Sequence, residues 1–97
     1  MVVNINEVSD VDRVRKNFRK YKGEDDVKLK LSDKPNKKFM VIKDNKKIHF
    51  GSTYPDFTKT RNNNQKKRYI ARASNIEGNW ADNKYSPNNL SINLLWA

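Results

Sequence analysis

Histidine occurs once in the chain, at position 49, and Asp56 is the nearest loop carboxylate. A histidine beside an aspartate can move protons or hold a metal, as a nuclease site requires, provided that further groups converge on the pair. The spacing supplies no such groups. Glu77 and Asp82 flank Trp80, and no acid is placed to complete a recognisable metal cluster with His49. Three glycines are too few and too scattered for a phosphate-cradling loop, and Ser52, Ser74 and Ser86 belong to no nucleophile motif. Cysteine is absent, which excludes disulfides and thiolate metal sites. The expectation is a protein that is not an enzyme and carries no cofactor and no metal. A nuclease using His49 and Asp56 is the catalytic alternative.

Charge is the stronger chemical signal. Lysine and arginine total 21 against 11 acids, a formal net charge of +10. A field of that sign favours nucleic acid, anionic lipid or an acidic protein partner. A plainer alternative is solubility in a chain rich in Lys and Asn from an AT-rich genome. The excess is uneven. Up to Asp26 the bases and acids balance, and beyond it lysines crowd positions 28–47 and a second basic cluster spans 59–72. The candidate contacts for phosphate or an acidic partner are Lys28, Lys30, Lys37, Lys38, Lys46, Lys47, Lys66, Lys67, Arg68 and Arg72. His49, Tyr54 and Phe57 form a candidate contact loop, because aromatic rings near cations can stack on bases.

Ninety-seven residues allow one domain with one core. Only 35% of them are hydrophobic and the mean hydropathy is -1.05, so aromatics must supply much of that core. No apolar run approaches the ~20 residues of a membrane span, and the N-terminus lacks the layout of a signal peptide. The expectation is a soluble protein made in a cytosol.

The elements that must position these groups follow from periodicity. Residues 2–5 suggest a short edge strand. Ser9 to Tyr21 reads as a helix capped by Ser9 with Asp12, apolar at Val11, Val14, Phe18 and Tyr21, and stopped by Gly23. Its opposite face carries Arg13, Lys16 and Lys20. Val27–Leu31 alternates as a half-buried strand does. Phe39–Lys43 and Lys46–Phe50 are two more strands, joined by a tight Asp44-Asn45 turn. This antiparallel meander should have one apolar and one lysine-rich face. Gly51 to Thr58 reads as a loop. A second helix runs from Asn62 to Ser74 with the stripe Tyr69, Ile70 and Ala73. Ser86-Pro87 signals a last helix that turns Leu90, Leu94 and Leu95 inward, although residues 90–94 also alternate as a strand. The fold class is therefore α+β, a small β-meander packed with two or three helices. One domain covers 1–97, with 1–26 a helical extension of a 27–97 core.

His49-Phe50-Gly51, Tyr54-Pro55-Asp56-Phe57-Thr58, Arg68-Tyr69-Ile70-Ala71-Arg72, Asn79-Trp80 and Leu94-Leu95-Trp96 occur in that order. The series resembles a small, functionally uncharacterised family encoded by large DNA viruses and phages. The resemblance spans Phe39 to Trp96 and implies a viral origin. Members of that family usually carry a histidine where this chain has Ala73, so a paired-histidine site is not expected. The aromatic and leucine positions suit core anchors, and Asp56 suits a loop acceptor or a partner for Arg68 or Arg72. The resulting expectation is a small basic virion protein in contact with capsid or other virion proteins, packaged DNA, or both, with no membrane partner. It would be made in the host cytoplasm and reside in the virion. The alternative is a free nucleic-acid-binding protein of viral replication or transcription.

Overall fold

A computed structural model describes residues 4–97. It is an α+β fold in which one three-stranded antiparallel sheet, in the order β1-β2-β3, is covered on one face by helices. Strand β1 is Lys28–Leu31, β2 is Phe39–Lys43 and β3 is Lys46–Phe50. The β2–β3 turn forms where expected. Asp44 and Asn45 both take positive φ, 51° and 64°, the conformation a two-residue hairpin demands.

Register separates the two faces. Leu31, Phe39 and Phe50 align across the ladder, as do Leu29, Val41 and Ile48; this inner face meets the core except at Leu31, which is exposed at the end of the edge strand. The outer face carries Lys28, Ile42 and Lys47 in one row and Lys30, Met40 and His49 in the next. It is rich in lysine but not purely polar, since Met40 is 7% exposed.

The first element is a single helical turn, α1 (Ile5–Val8), capped by the Asn4 side chain. Val2 and Val3 of the expected edge strand lie outside the described residues, and Ile5 is helical. Helix α2 is Val11–Lys22 and ends at Gly23. Its cap is Asp10, which accepts from Arg13 N at 3.2 Å, and not Ser9 as the sequence suggested. A carboxylate at the positive end of the helix serves there, and Ser9 points into the interior. Val14 and Phe18 of α2 enter the same core cluster as Phe39, Val41 and Phe50. The segment before residue 27, read in the sequence as an extension, thus supplies part of the common core.

The remaining core comes from the C-terminal end. Ser86 caps α5 (Pro87–Leu90), which widens into a π-turn at Ser91–Leu95. The segment is helical and not a strand, and Leu90, Leu94, Leu95 and the following Trp96 are buried. Between sheet and C-terminus lie α3 (Phe57–Thr60), a short helix where a loop was expected, and α4 (Asn63–Ser74), capped by Asn62 on Gln65 N at 3.1 Å. Trp80, expected as a core anchor, is only half-buried in a 3-10 turn, where its indole N–H donates to Ile76 O at 2.6 Å. Tyr85 takes a core place instead. Its hydroxyl donates to Asp25 at 2.5 Å, and Lys84 joins the same carboxylate at 2.7 Å.

One polar cluster ties these parts together. Lys38 Nζ lies 2.7 Å from Asp56 Oδ2, and both side chains are 1% exposed. The same ammonium donates to Val8 O at 3.3 Å. Asp56 also accepts from the Ser9 and Thr58 hydroxyls and from Thr58 N at 2.9 Å, which caps α3. Asp56 N donates to Val8 O at 3.0 Å, and Asp10 N donates to Thr58 Oγ1 at 3.0 Å. Burial pulls the Lys38 pKa below its ordinary value, and the Asp56 charge opposes that shift. Gly51 lets the cluster close. It sits at φ 86°, and a Cβ there would stand 2.9 Å from Leu95 Cδ1 and 3.3 Å from Lys38 Cβ.

Removing one member of a buried pair leaves the other charge uncompensated, at a cost of about 3–5 kcal/mol. Lys38→Met should therefore lose about that much in urea denaturation, and Lys38→Met/Asp56→Asn should lose less than the single variant. A Lys38→Met protein within about 1 kcal/mol of the parent would contradict this account. The hydrogen bonds from Lys84 and Tyr85 hold the Asp25 carboxyl below its ordinary range. Its stabilising contribution is thus present above the unfolded value of ~3.9 and is lost as pH falls through the lower folded value. Asp25→Asn should flatten the acid limb of a stability-versus-pH curve, and an unchanged limb would count against the contact.

Candidate polyanion-binding surface

The structure divides the residues singled out by charge into three groups. The first is internal. Lys38 was expected to meet a partner, but it is spent on Asp56 and cannot reach one. Asp56 in turn pairs with Lys38 and not with Arg68 or Arg72. Phe57, expected in a contact loop, is 5% exposed and belongs to the core cluster. An apolar ring is retained inside by the ordinary preference for burial.

The second group belongs to the sheet. Lys28, Lys30 and Lys47 share the outer face, whereas Lys46 pairs with Lys43 on the opposite pleat and Lys37 is half-buried ahead of β2. This field is partly cancelled. Lys47 Nζ meets Asp33 at 2.8 Å, and the ion pair holds the Asp33 carboxyl below its usual range. His49 is turned into the same corner. Its Nδ1 is 2.7 Å from Ser32 Oγ, its Nε2 is 3.7 Å from Asp33, and its side chain is 11% exposed. His49 therefore braces the 32–34 turn, and Asp56 is held in a different set of contacts. Among the described residues, no three of His, Asp and Glu converge as a metal site would require.

The third group lies on α3 and α4. From Phe57 to Ile76 the chain contains no acid and six cations: Lys59, Arg61, Lys66, Lys67, Arg68 and Arg72. Arg13, Lys38, Lys47, His49 and Lys84 are the basic residues seen in ion pairs among the described residues, and none of these six is. The cations are also positioned. Arg61 Cζ lies 4.2 Å and Lys66 Nζ 4.6 Å from the Phe57 ring centroid, so one buried aromatic holds two charges at the surface. Arg61 closes α3 in a left-handed conformation, φ 54°, which turns the chain from α3 into α4. The sequence signal for this bracket is the Phe57–Arg61 spacing of one helical turn, hidden because the segment reads as a loop. Lys67, Arg68 and Arg72 are exposed along α4. The first turn of α4 has no acid, so its positive end adds to the same field.

Tyr54 is the exposed aromatic of the expected contact loop, 48% accessible, with Lys38 Nζ 5.9 Å from its ring centroid. Tyr69 of α4 stacks on Trp96 at 4.3 Å and 8°. Burial raises the Tyr69 pKa.

Residues 27–73 are similar to a family of unknown function, DUF5754. The matched stretch runs from β1 through nearly all of α4. It includes Lys38, Asp56, Phe57 and all six cations of the acid-free stretch, and it leaves out Ser9, the α2 core residues and the C-terminal leucines. No curated protein matches the chain, and no solved structure does.

Lys67 and Arg68 are exposed and in no ion pair among the described residues, so Lys67→Ala/Arg68→Ala should leave thermal stability nearly unchanged, within the ~0.5 kcal/mol usual for surface substitutions. Phe57→Ala should cost about 3–5 kcal/mol. A Phe57→Ala protein as stable as the parent would place that ring outside the core.

Proposed function

We propose that this protein is a non-enzymatic polyanion-binding module whose working surface is the α3–α4 face. The observation that carries this reading is the acid-free stretch Phe57–Ile76, with six cations outside every ion pair seen among the described residues. What sets this stretch apart is the absence of any acid: elsewhere carboxylates are interleaved with the cations, and Asp33 and Asp25 are paired with Lys47 and Lys84. A surface left unneutralised raises the local concentration of anions and binds phosphates without reading sequence.

The setting we propose is a virus particle. In it the basic face would contact packaged DNA or acidic surfaces of capsid proteins, or both. Support for that setting comes from the resemblance of residues 39–96 to the viral series, together with small size and strong positive charge. A free role during replication or transcription rests on the same surface, because packaged and free DNA present the same phosphates.

Binding of a labelled DNA duplex, followed by fluorescence anisotropy across a salt series, tests the core of the proposal. Log affinity should fall linearly with log salt, with a slope of about 0.9 per phosphate neutralised. Lys67→Ala/Arg68→Ala should flatten that slope by about 2. Lys28→Ala/Lys30→Ala, on the sheet, should change it less. Absence of binding to DNA, heparin and a polyglutamate peptide at low salt would end the proposal. Mass spectrometry of purified particles decides the setting: a protein missing from them acts elsewhere.

A further inference from the structure

Beside the cationic face lies a cleft of about 300 Å³ lined by Tyr54, Tyr69, Arg72, Ala73 and Ile76. Its chemistry differs from the rest of the α4 surface. Tyr54 and Ile76 are two of the three large hydrophobic residues that stand exposed among the described residues, at 48% and 54%. The cleft joins them to one free guanidinium. The floor is stiff, because Tyr69 is stacked on Trp96 and Ala73 is buried, its carbonyl accepting from Asn88 Nδ2 at 2.9 Å. Tyr54 is anchored from the interior by the Lys38 ammonium, itself held in the buried ion pair.

We infer that this cleft seats one unpaired base of a single-stranded nucleic acid, with Tyr54 stacking on the base and Arg72 meeting the adjoining phosphate. The inference rests on the cationic reading of α3–α4 and names the kind of polyanion that reading would take. Three observations favour this occupant. A flat aromatic ring with an aliphatic neighbour offers a π-face and an apolar edge, the two surfaces a base presents once it is unstacked. A duplex keeps those faces inside its own stack, so it would meet the lysines and arginines and leave Tyr54 idle. An acidic protein segment would be held by the cations alone and needs no exposed ring beside them. Charge complementarity runs in one direction, since no acid occurs between Phe57 and Ile76 to oppose a backbone of phosphates.

The test compares a fluorescein-labelled oligothymidylate with a duplex of equal length and with a labelled polyglutamate peptide. Tyr54→Leu and Tyr54→Phe are measured beside the parent, and circular dichroism checks that each variant folds. Loss of one stacked base corresponds to about a 5- to 150-fold loss of affinity. Tyr54→Leu should lose that much for the single strand, keep its duplex affinity, and be rescued by Tyr54→Phe. Equal effects of Tyr54→Leu on single strand, duplex and peptide would overturn the inference, as would no effect on any of them. In both cases salt-dependent binding by the parent would leave the proposed function standing. A parent that binds none of the three probes at low salt overturns both.

Discussion

The Lys38–Asp56 ion pair is the constraint on which the other parts depend. It joins three segments distant in sequence: the α1–α2 junction through Val8 and Ser9, the start of β2 through Lys38, and the start of α3 through Asp56 and Thr58. An ammonium and a carboxylate removed from water are tolerable only when each finds several partners. Here Asp56 receives two hydroxyls, a backbone amide and the ammonium, while Lys38 adds a backbone carbonyl. A hydrophobic pair of similar size would hold the same volume but would not dictate which backbone groups meet. The ionic pair makes that choice, and Gly51 is small enough to lie against the Lys38 stem and Leu95.

Surface charge then follows from the interior arrangement. Asp56 caps α3, α3 presents Phe57 to the core, and Phe57 holds Arg61 and Lys66 at the surface. The placement of Arg61 and Lys66 therefore follows from how one buried carboxylate starts a short helix, and α4, capped by Asn62, adds Lys67, Arg68 and Arg72. Its composition matters as much as its geometry, because the stretch contains no acid to cancel it. The sheet face has as strong a run of lysines in sequence but a weaker field in space, since Asp33 is drawn against Lys47 and His49.

The match to a family of unknown function covers both the Lys38–Asp56 pair and the cationic helices, but not the segments that cover the sheet. Residues 27–73 hold the sheet and its polar lock, while α2 and the C-terminal turn supply Val14, Phe18, Leu94 and Leu95 to close the core. The polar lock reaches outside the matched stretch through Val8 and Ser9.

The sequence by itself determined the elements whose signals are local. The β2–β3 hairpin was legible because Asp44-Asn45 accepts positive φ, α4 because Asn62 caps it, and the last helix because Ser86-Pro87 opens it. The α+β class and the net charge followed from the same kind of evidence. Tertiary structure alone decided which charges are free. Lys37 and Lys38 are adjacent and chemically alike, yet one is half-buried at the surface and the other lies fully inside. Ser9 reads as a helix cap until Asp56, far along the chain, claims its hydroxyl. Trp80 stays half-buried while Tyr85 enters the core, with its hydroxyl reaching out to the exposed Asp25 carboxylate. Burial of a polar group depends on partners that spacing along the chain does not reveal, so local periodicity identifies helices and strands but not the contents of an ion pair.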